Sequence, residues 1–254
     1  HLNAVMNTPR LREIYNANLP LITQFYAELS QDVLLFERFK QLRKSPEFNH
    51  LTSARKKIIE NELRDFRLGG AELPSEKKQR FLQIQKELSN LSSKFNDNLL
   101  DATNAYELLI EDAKTVAGIP DDVLQAAKEL AAADSKAGWK FTLHMPSYLP
   151  VMQYADDRSL REKMYRANAT RASEFDSPAG SDRDNMLLIK EILKLRQEEA
   201  QMLDYENYAE VSLVTKMAAS PQQVLDFLRE LAIKAKLYAE RDLQALKQFA
   251  AEKL

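Results

Sequence analysis

The chain has 254 residues, with 36 lysines and arginines, 38 aspartates and glutamates, and no cysteine. A net charge of −2 with the two signs intermixed provides no basic stripe of the kind a nucleic-acid binder carries. The absence of cysteine excludes disulfide frameworks, thiolate metal sites and thiol nucleophiles, and no apolar run approaches the ~18–20 residues of a membrane span.

In chain order, Thr8 and Pro9 read as an N-cap and a first-turn proline opening a short helix to about Ala17. Pro20 then opens or kinks a second helix with the stripe Ile22, Phe25, Tyr26, Leu29, Val33, Phe36 and Phe39, stopping before Ser45 and Pro46. Thr52 caps a third, with Ile58, Ile59, Leu63 and Phe66 inward and Gly69-Gly70 as its stop. After Pro74 comes the stretch that organises the rest: Ser75 to about Asn104 contains neither glycine nor proline. Phe81, Ile84, Leu88, Leu91, Phe95 and Leu99 recur there at spacings of three and four, which predicts a helix roughly 45 Å long.

Beyond it the period shortens. Tyr106–Glu111 and Trp139–Met145 alternate as strands do, with Lys140, Thr142 and His144 on the outward side of the second. The two are expected to pair antiparallel around a helix from Asp121 to about Ala133, and to lie against helices, because a two-stranded ribbon is marginal alone. Pro146–Pro150 reads as a tight transition into a short helix ending near Ala155. Asp156 or Asp157 begins the next, with Leu160, Met164, Tyr165 and Ala169 buried. Residues 173–181 form the clearest loop, and Ser181 with Asp184 resembles a capping box. The helix that follows places Ile189, Ile192, Leu193, Ala200 and Leu203 on one face. A turn and short helix span Asp204–Met217, and Ser220-Pro221 opens a last helix striped by Val224, Phe227, Leu228, Leu231, Ala235, Tyr238 and Phe249. The fold class is therefore mainly α, a multi-helix array around one long central helix with a small antiparallel patch at about 106–111 and 139–145. The domain division expected is 1–180 and 181–254.

The chain begins at His1 without an initiator methionine and ends inside an unfinished helical pattern, so the expectation is an internal piece of a longer polypeptide.

Chemistry is hard to find in the residues alone. The three histidines, His1, His50 and His144, are far apart, and none belongs to His-Glu-x-x-His, which sets two zinc ligands on one helical face. Glu47-x-x-His50 is a lone pair beside Pro46, read as a solvated loop. Asp121-Asp122 lies where a helix N-terminus favours negative charge, and Glu198-Glu199 reads as solvent-facing. Phe25, Tyr26, Phe36 and Phe39 read as core, whereas Tyr148 and Tyr154 flank a proline-bent segment and read as packing residues, with the lining of a groove as the alternative. No residue is assigned a catalytic, cofactor-binding or metal role. A helical interaction module without catalysis stays open as the alternative function.

Several unbroken strings carry a resemblance: Leu63–Pro74, Asn98–Thr103, Pro146–Met152, Arg161–Ala167 with Thr170–Ser173, and a series from Ile192–Arg196 through Asp204–Ala209 and Lys216–Ala218 to Pro221–Leu225. With these, nearly the whole chain resembles the thimet oligopeptidase and neurolysin family of zinc metallopeptidases. The resemblance implies a mostly helical cytoplasmic enzyme with two halves flanking a channel in which short unstructured peptides are cut. It also implies zinc held by His-Glu-x-x-His and a later glutamate. Those residues are not in this sequence, so the resemblance implies a channel-wall and access region that is inactive alone and needs no cofactor of its own. Its partners would be peptide substrates in the whole protein and the remaining catalytic half of the same polypeptide, with neither nucleic acid nor membrane.

Overall fold

The computed structural model describes residues 2–175 and 183–253. In chain order its elements are α1 (Leu2–Val5), α2 (Pro9–Ser30), α3 (Val33–Lys44), α4 (Pro46–His50), α5 (Ser53–Leu68), α6 (Ser75–Ala105) and β1 (Leu108–Ile110). There follow α7 (Asp121–Ala133), β2 (Trp139–Phe141), α8 (Met145–Tyr154), α9 (Arg158–Ala169), α10 (Met186–Met202), α11 (Tyr208–Leu213) and α12 (Pro221–Lys253). The fold is mainly α with one two-stranded antiparallel sheet, as the periodicity predicts. The chain forms two compact units, His1–Ala27 with Leu82–Lys194, and Glu28–Phe81 with Leu195–Leu254.

In the first unit, α2 and α6 run antiparallel, joined by a ladder of polar contacts. Arg12 grips Asp101 with two hydrogen bonds of 2.7 and 2.6 Å, Asn16 donates to Asp97 at 3.2 Å, Thr23 bonds Ser89 at 3.0 Å, and Lys86 reaches Gln24 at 2.9 Å. This pairing keeps α2 continuous across Pro20, where the sequence predicts a break. Proline forfeits one backbone bond, but a helix fixed along one side by its neighbour retains the rest. The chain actually breaks at Asp32, whose carboxylate accepts from the Leu35 amide at 2.9 Å and caps α3.

The core of this unit is built on Leu108, Phe141, Leu143, Val151, Leu160 and Met164, with α7 and the sheet packed together. Leu108 faces Phe141 and Ile110 faces Trp139 across the ribbon. The ribbon is shorter than expected: β2 ends at Phe141, because the Thr142 amide donates to the Ser147 hydroxyl and α8 begins at Met145. Pro146 and Pro150 both lie inside α8 rather than before it, and His144 is its exposed N-cap, not a strand residue. Lys140 is buried, contrary to the outward position its alternation implies. Gly138, at φ +97°, leads into β2 where a Cβ would overlap the Ile110 carbonyl.

Asp157 caps α9 by accepting from the Leu160 amide at 2.9 Å. Leu160 and Met164 are buried as expected, whereas Tyr165 and Ala169 are exposed. Asn185 precedes α10 and is buried against Asn98, which donates to it at 2.9 Å; Asn185 in turn donates to the Phe95 carbonyl at 3.1 Å. The Asp184 carboxylate accepts from the Met186 amide at 2.8 Å. Ser181, the other member of the expected capping box, and most of the expected loop 173–181 lie outside the described residues.

The second unit is centred on Phe36, Phe48, Ile59, Leu63, Phe66 and Ala71. The Phe66 ring lies 5.5 Å from Phe36 and 5.8 Å from Phe39, and the Arg43 guanidinium stands 4.2 Å over Phe48. Thr52 caps α5 as expected, and Ile59, Leu63 and Phe66 point inward, but Ile58 is exposed. α5 ends in a Schellman turn: Gly70 has φ +85°, its amide bonds Arg67, and the Ala71 amide bonds the Phe66 carbonyl at 2.9 Å. Phe25 and Tyr26, expected in a core, are exposed and meet edge-to-face at 5.4 Å. On α10, Leu195, Glu199 and Ala200 are buried, so the inner face is centred on Leu195 rather than on Leu193. Ser220 caps α12 through the Gln223 amide at 3.2 Å. No described residue of α12 is buried, and Phe227, Leu228, Leu231, Tyr238 and Phe249 are all more than half exposed.

Candidate functional site

A groove of about 710 Å3 opens in the first unit, between α1 and α2 on one side and the second half of α6 on the other. Ser89, Ser92, Ser93, Asn96 and Thr103 line one wall, at the spacings that place them along one side of α6. Leu19, Leu99 and Leu100 supply apolar surface, and Tyr15 stands opposite. Arg171 lies at the Thr103 end.

Arg171 directly follows α9, past its C-cap Thr170. Its Nε donates to the Asn168 carbonyl at 2.9 Å, satisfying a carbonyl in the last turn of that helix, and Nη1 donates to the Thr103 hydroxyl at 3.0 Å. The guanidinium is thus held between α9 and α6. Among the described residues no carboxylate oxygen lies within ion-pair distance of it. The other acids here are matched: Asp101 by Arg12, and Asp97 by Arg12 and Asn16. The Arg12 guanidinium holds the Asp101 carboxyl below the usual carboxylate range, chiefly through the hydrogen bonds between them.

A second, smaller depression of about 500 Å3 lies between α7 and the start of α8, lined by Val123, Ala126, Leu130, Thr142, His144 and Lys140. Lys140 is committed: its ammonium meets Asp134 at 2.5 Å and Glu107 at 3.2 Å. That contact lowers the Asp134 carboxyl and raises the lysine. The cluster joins the C-terminus of α7 to the strands and is structural.

The remaining residues of chemical interest are dispersed. His50 ends the short helix α4, exposed, where the sequence predicts a loop. Asp121 and Asp122 occupy the first turn of α7, as expected. Glu198 and Glu199 do not face solvent together: Glu198 is clasped by Arg80 through bonds of 2.6 and 2.7 Å, and Glu199 is 8% exposed. Tyr148 is buried in the core, whereas Tyr154 is 53% exposed. Among the described residues there is no group of three or more His, Cys, Asp or Glu side chains placed to hold a metal ion. Sequence reasoning singles out neither Arg171 nor the serine stripe of α6. The stripe is legible as a polar period of three and four, but such a period reads as ordinary helix surface.

Comparison with known proteins decides the family. Residues 1–78 match the model of the neurolysin/thimet oligopeptidase N-terminal domain, and residues 151–254 match that of peptidase family M3. The chain belongs to peptidase family M3. Oligopeptidase A of Haemophilus influenzae is 49% identical over 249 residues, which cover 98% of this chain and 36% of that protein. Oligopeptidase A of Escherichia coli is 46% identical over 250 residues, covering 98% and 37%, and the probable cytosolic oligopeptidase A of Arabidopsis thaliana is 42% identical over 258, covering 98% and 36%. The chain therefore spans little more than a third of the length of these M3 relatives. The zinc implied by the family resemblance does not fit the described residues: His50 and His144 lie in different units, and no ligand cluster surrounds either. No described helix is long and apolar enough to cross a membrane.

Proposed function

We propose that this chain is part of a cytoplasmic zinc metallo-oligopeptidase that hydrolyses short unstructured peptides, and that it forms channel wall and substrate-access surface. In this reading residues 1–180 are the helical wall region and 181–254 lead into the catalytic region, with the metal held by residues beyond those described. The observation that carries it is the paired match to the neurolysin/thimet oligopeptidase N-terminal domain and to peptidase family M3 in one chain, at 46–49% identity to oligopeptidases A from two bacteria. The exposed apolar length of α12 supports the same reading. A helix with Ile233 and Leu237 on one side and Leu228 and Leu231 on another presents more than one apolar face, which is the pattern of a helix enclosed by neighbours. The remaining catalytic half of the polypeptide is the partner proposed for it.

The test is metal analysis of the full-length gene product alongside this chain. One zinc per full-length molecule and none retained by residues 1–254 is the expected result. Zinc held stoichiometrically by residues 1–254, or a full-length product that holds none and cleaves nothing, contradicts the proposal; the latter outcome favours a helical interaction module.

A further inference from the structure

We infer that the groove between α2 and α6 is a subsite for an extended peptide whose free terminal carboxylate is taken by Arg171. Three observations converge on that ligand. The first is charge. Arg171 spends one Nε and one Nη1 proton on Asn168 and Thr103, leaving both protons of Nη2 and one of Nη1 without a described acceptor. Those two bonds fix the plane of the guanidinium, so a carboxylate meets a fork that is already oriented. The second is lining. The Ser92 hydroxyl and the Asn96 amide suit the polar backbone of a peptide, and Leu19, Leu99 and Leu100 suit its apolar side chains. The third is length. Ser89 to Thr103 is fourteen helical steps, about 21 Å. That matches roughly six residues of extended chain at ~3.3–3.6 Å each.

A terminal carboxylate is favoured over an aspartate or glutamate side chain by position, since Arg171 stands at the end of the groove rather than midway. Asp97, which lines the groove, and Asp101 beyond it are both paired with Arg12 and do not compete for Arg171. Anchoring a peptide by its end also supplies a length sense, because the distance from Arg171 then fixes which bond reaches any other part of the protein. The inference rests on the reading of the whole protein as a peptidase.

The experiment uses the full-length gene product with its metal chelated, so that a bound peptide is not cut. The probes are one N-terminally fluorescein-labelled hexapeptide of alanine, serine and leucine, made as the free acid and as the C-terminal amide, followed by anisotropy. Wild type is expected to bind the acid about tenfold or more tightly than the amide, as loss of one charge-assisted hydrogen-bonded pair implies. Arg171→Ala should abolish that ratio and Arg171→Lys should restore part of it. Asn96→Trp, at an exposed position in the groove wall, should weaken both peptides together. The ratio compares two ligands on one protein, so a general loss of stability in Arg171→Ala does not imitate the effect; if that variant fails to fold, the wild-type ratio and the Asn96→Trp affinities still decide the matter. Equal binding of acid and amide by wild type, or an undiminished ratio in a folded Arg171→Ala, overturns the inference. If equal binding is found in a metal-loaded protein that cleaves peptides, the subsite alone falls. If the metal-loaded protein cleaves nothing, the peptidase reading falls, whatever the ratio.

Discussion

At the scale of single residues, the contacts that hold the elements together are charged or backbone-determined, and both kinds make predictions. Asp101 titrates below the usual carboxylate range because Arg12 grips it, and Asp134 does so because of Lys140. A carboxyl whose folded pKa is depressed contributes stability that is fully present above its unfolded value of ~4, and loses it as pH falls through the folded value. The chain should therefore lose stability below about pH 4, and Asp101→Asn should flatten part of that acid limb in denaturation midpoints measured from pH 6 to pH 3. The Lys140 ammonium, raised by the same pair, acts at the other end: its contribution is complete below the ordinary lysine range and is lost as pH rises through the higher folded value.

Backbone conformation gives the second residue-scale prediction. Ser135 follows α7 at φ +58°, with its amide on Ala132 and the Lys136 amide on Ala131, a Schellman turn without glycine. Asp204 ends α10 in the same way at φ +63°. A left-handed serine costs about 1 kcal/mol that glycine avoids, so Ser135→Gly should raise stability by about that amount in a urea titration. Asp204→Gly should gain less, because aspartate tolerates this region. Gly138→Ala should lose stability, since its Cβ meets the Ile110 carbonyl of the partner strand.

At the scale of elements, the sequence is most legible where one local signal decides the outcome. The glycine-free run of α6, the caps Thr52, Asp157 and Ser220, and the pairing of two short strands around α7 are all readable as pattern. Stops and breaks are less so. Gly70 announces the end of α5, whereas Ser135 and Asp204 perform the same turn without a glycine to mark it. Pro20, Pro146 and Pro150 read as boundaries, yet each lies within a helix. The reasons differ: Pro146 sits in the first turn of α8, where its missing N–H costs no helix bond, whereas Pro20 and Pro150 lie in helices held by the α2–α6 ladder and by the packing of Tyr148 and Val151. Pro20→Ala restores a backbone donor in the middle of α2 and should stabilise the chain by about 1–3 kcal/mol. No change, or a loss, would show that the proline ring itself is needed for the α2–α6 contacts.

Faces are the least legible feature, and for a physical cause. Periodicity shows that a helix has an apolar side but not whether anything covers it. Phe25 and Tyr26 satisfy the pattern of core residues and are exposed, while Asn98 and Lys140 look like surface and are buried because Asn185, Asp134 and Glu107 complete their hydrogen bonds. Of the candidate site, the serine stripe is visible in the sequence. Arg171 is not, since its role depends on α9 ending beside Thr103, a residue far earlier in the chain.

At the scale of the whole molecule, the chain spans little more than a third of the length of its M3 relatives, and its described residues hold no group of three or more His, Cys, Asp or Glu side chains placed for a metal ion. The apolar length of α12 carries a direct consequence. Residues 1–254 alone should self-associate as concentration rises, measured by light scattering after size exclusion, and Leu228→Glu with Leu231→Glu should suppress it. A compact monomer at high concentration would mean that α12 needs no cover.

The most direct measurement is cleavage of an internally quenched peptide by the full-length gene product and by residues 1–254, each supplied with zinc and then with chelator. The account predicts chelator-sensitive hydrolysis by the full-length protein and no hydrolysis by residues 1–254. Chelator-sensitive cleavage by residues 1–254 purified alone would contradict it.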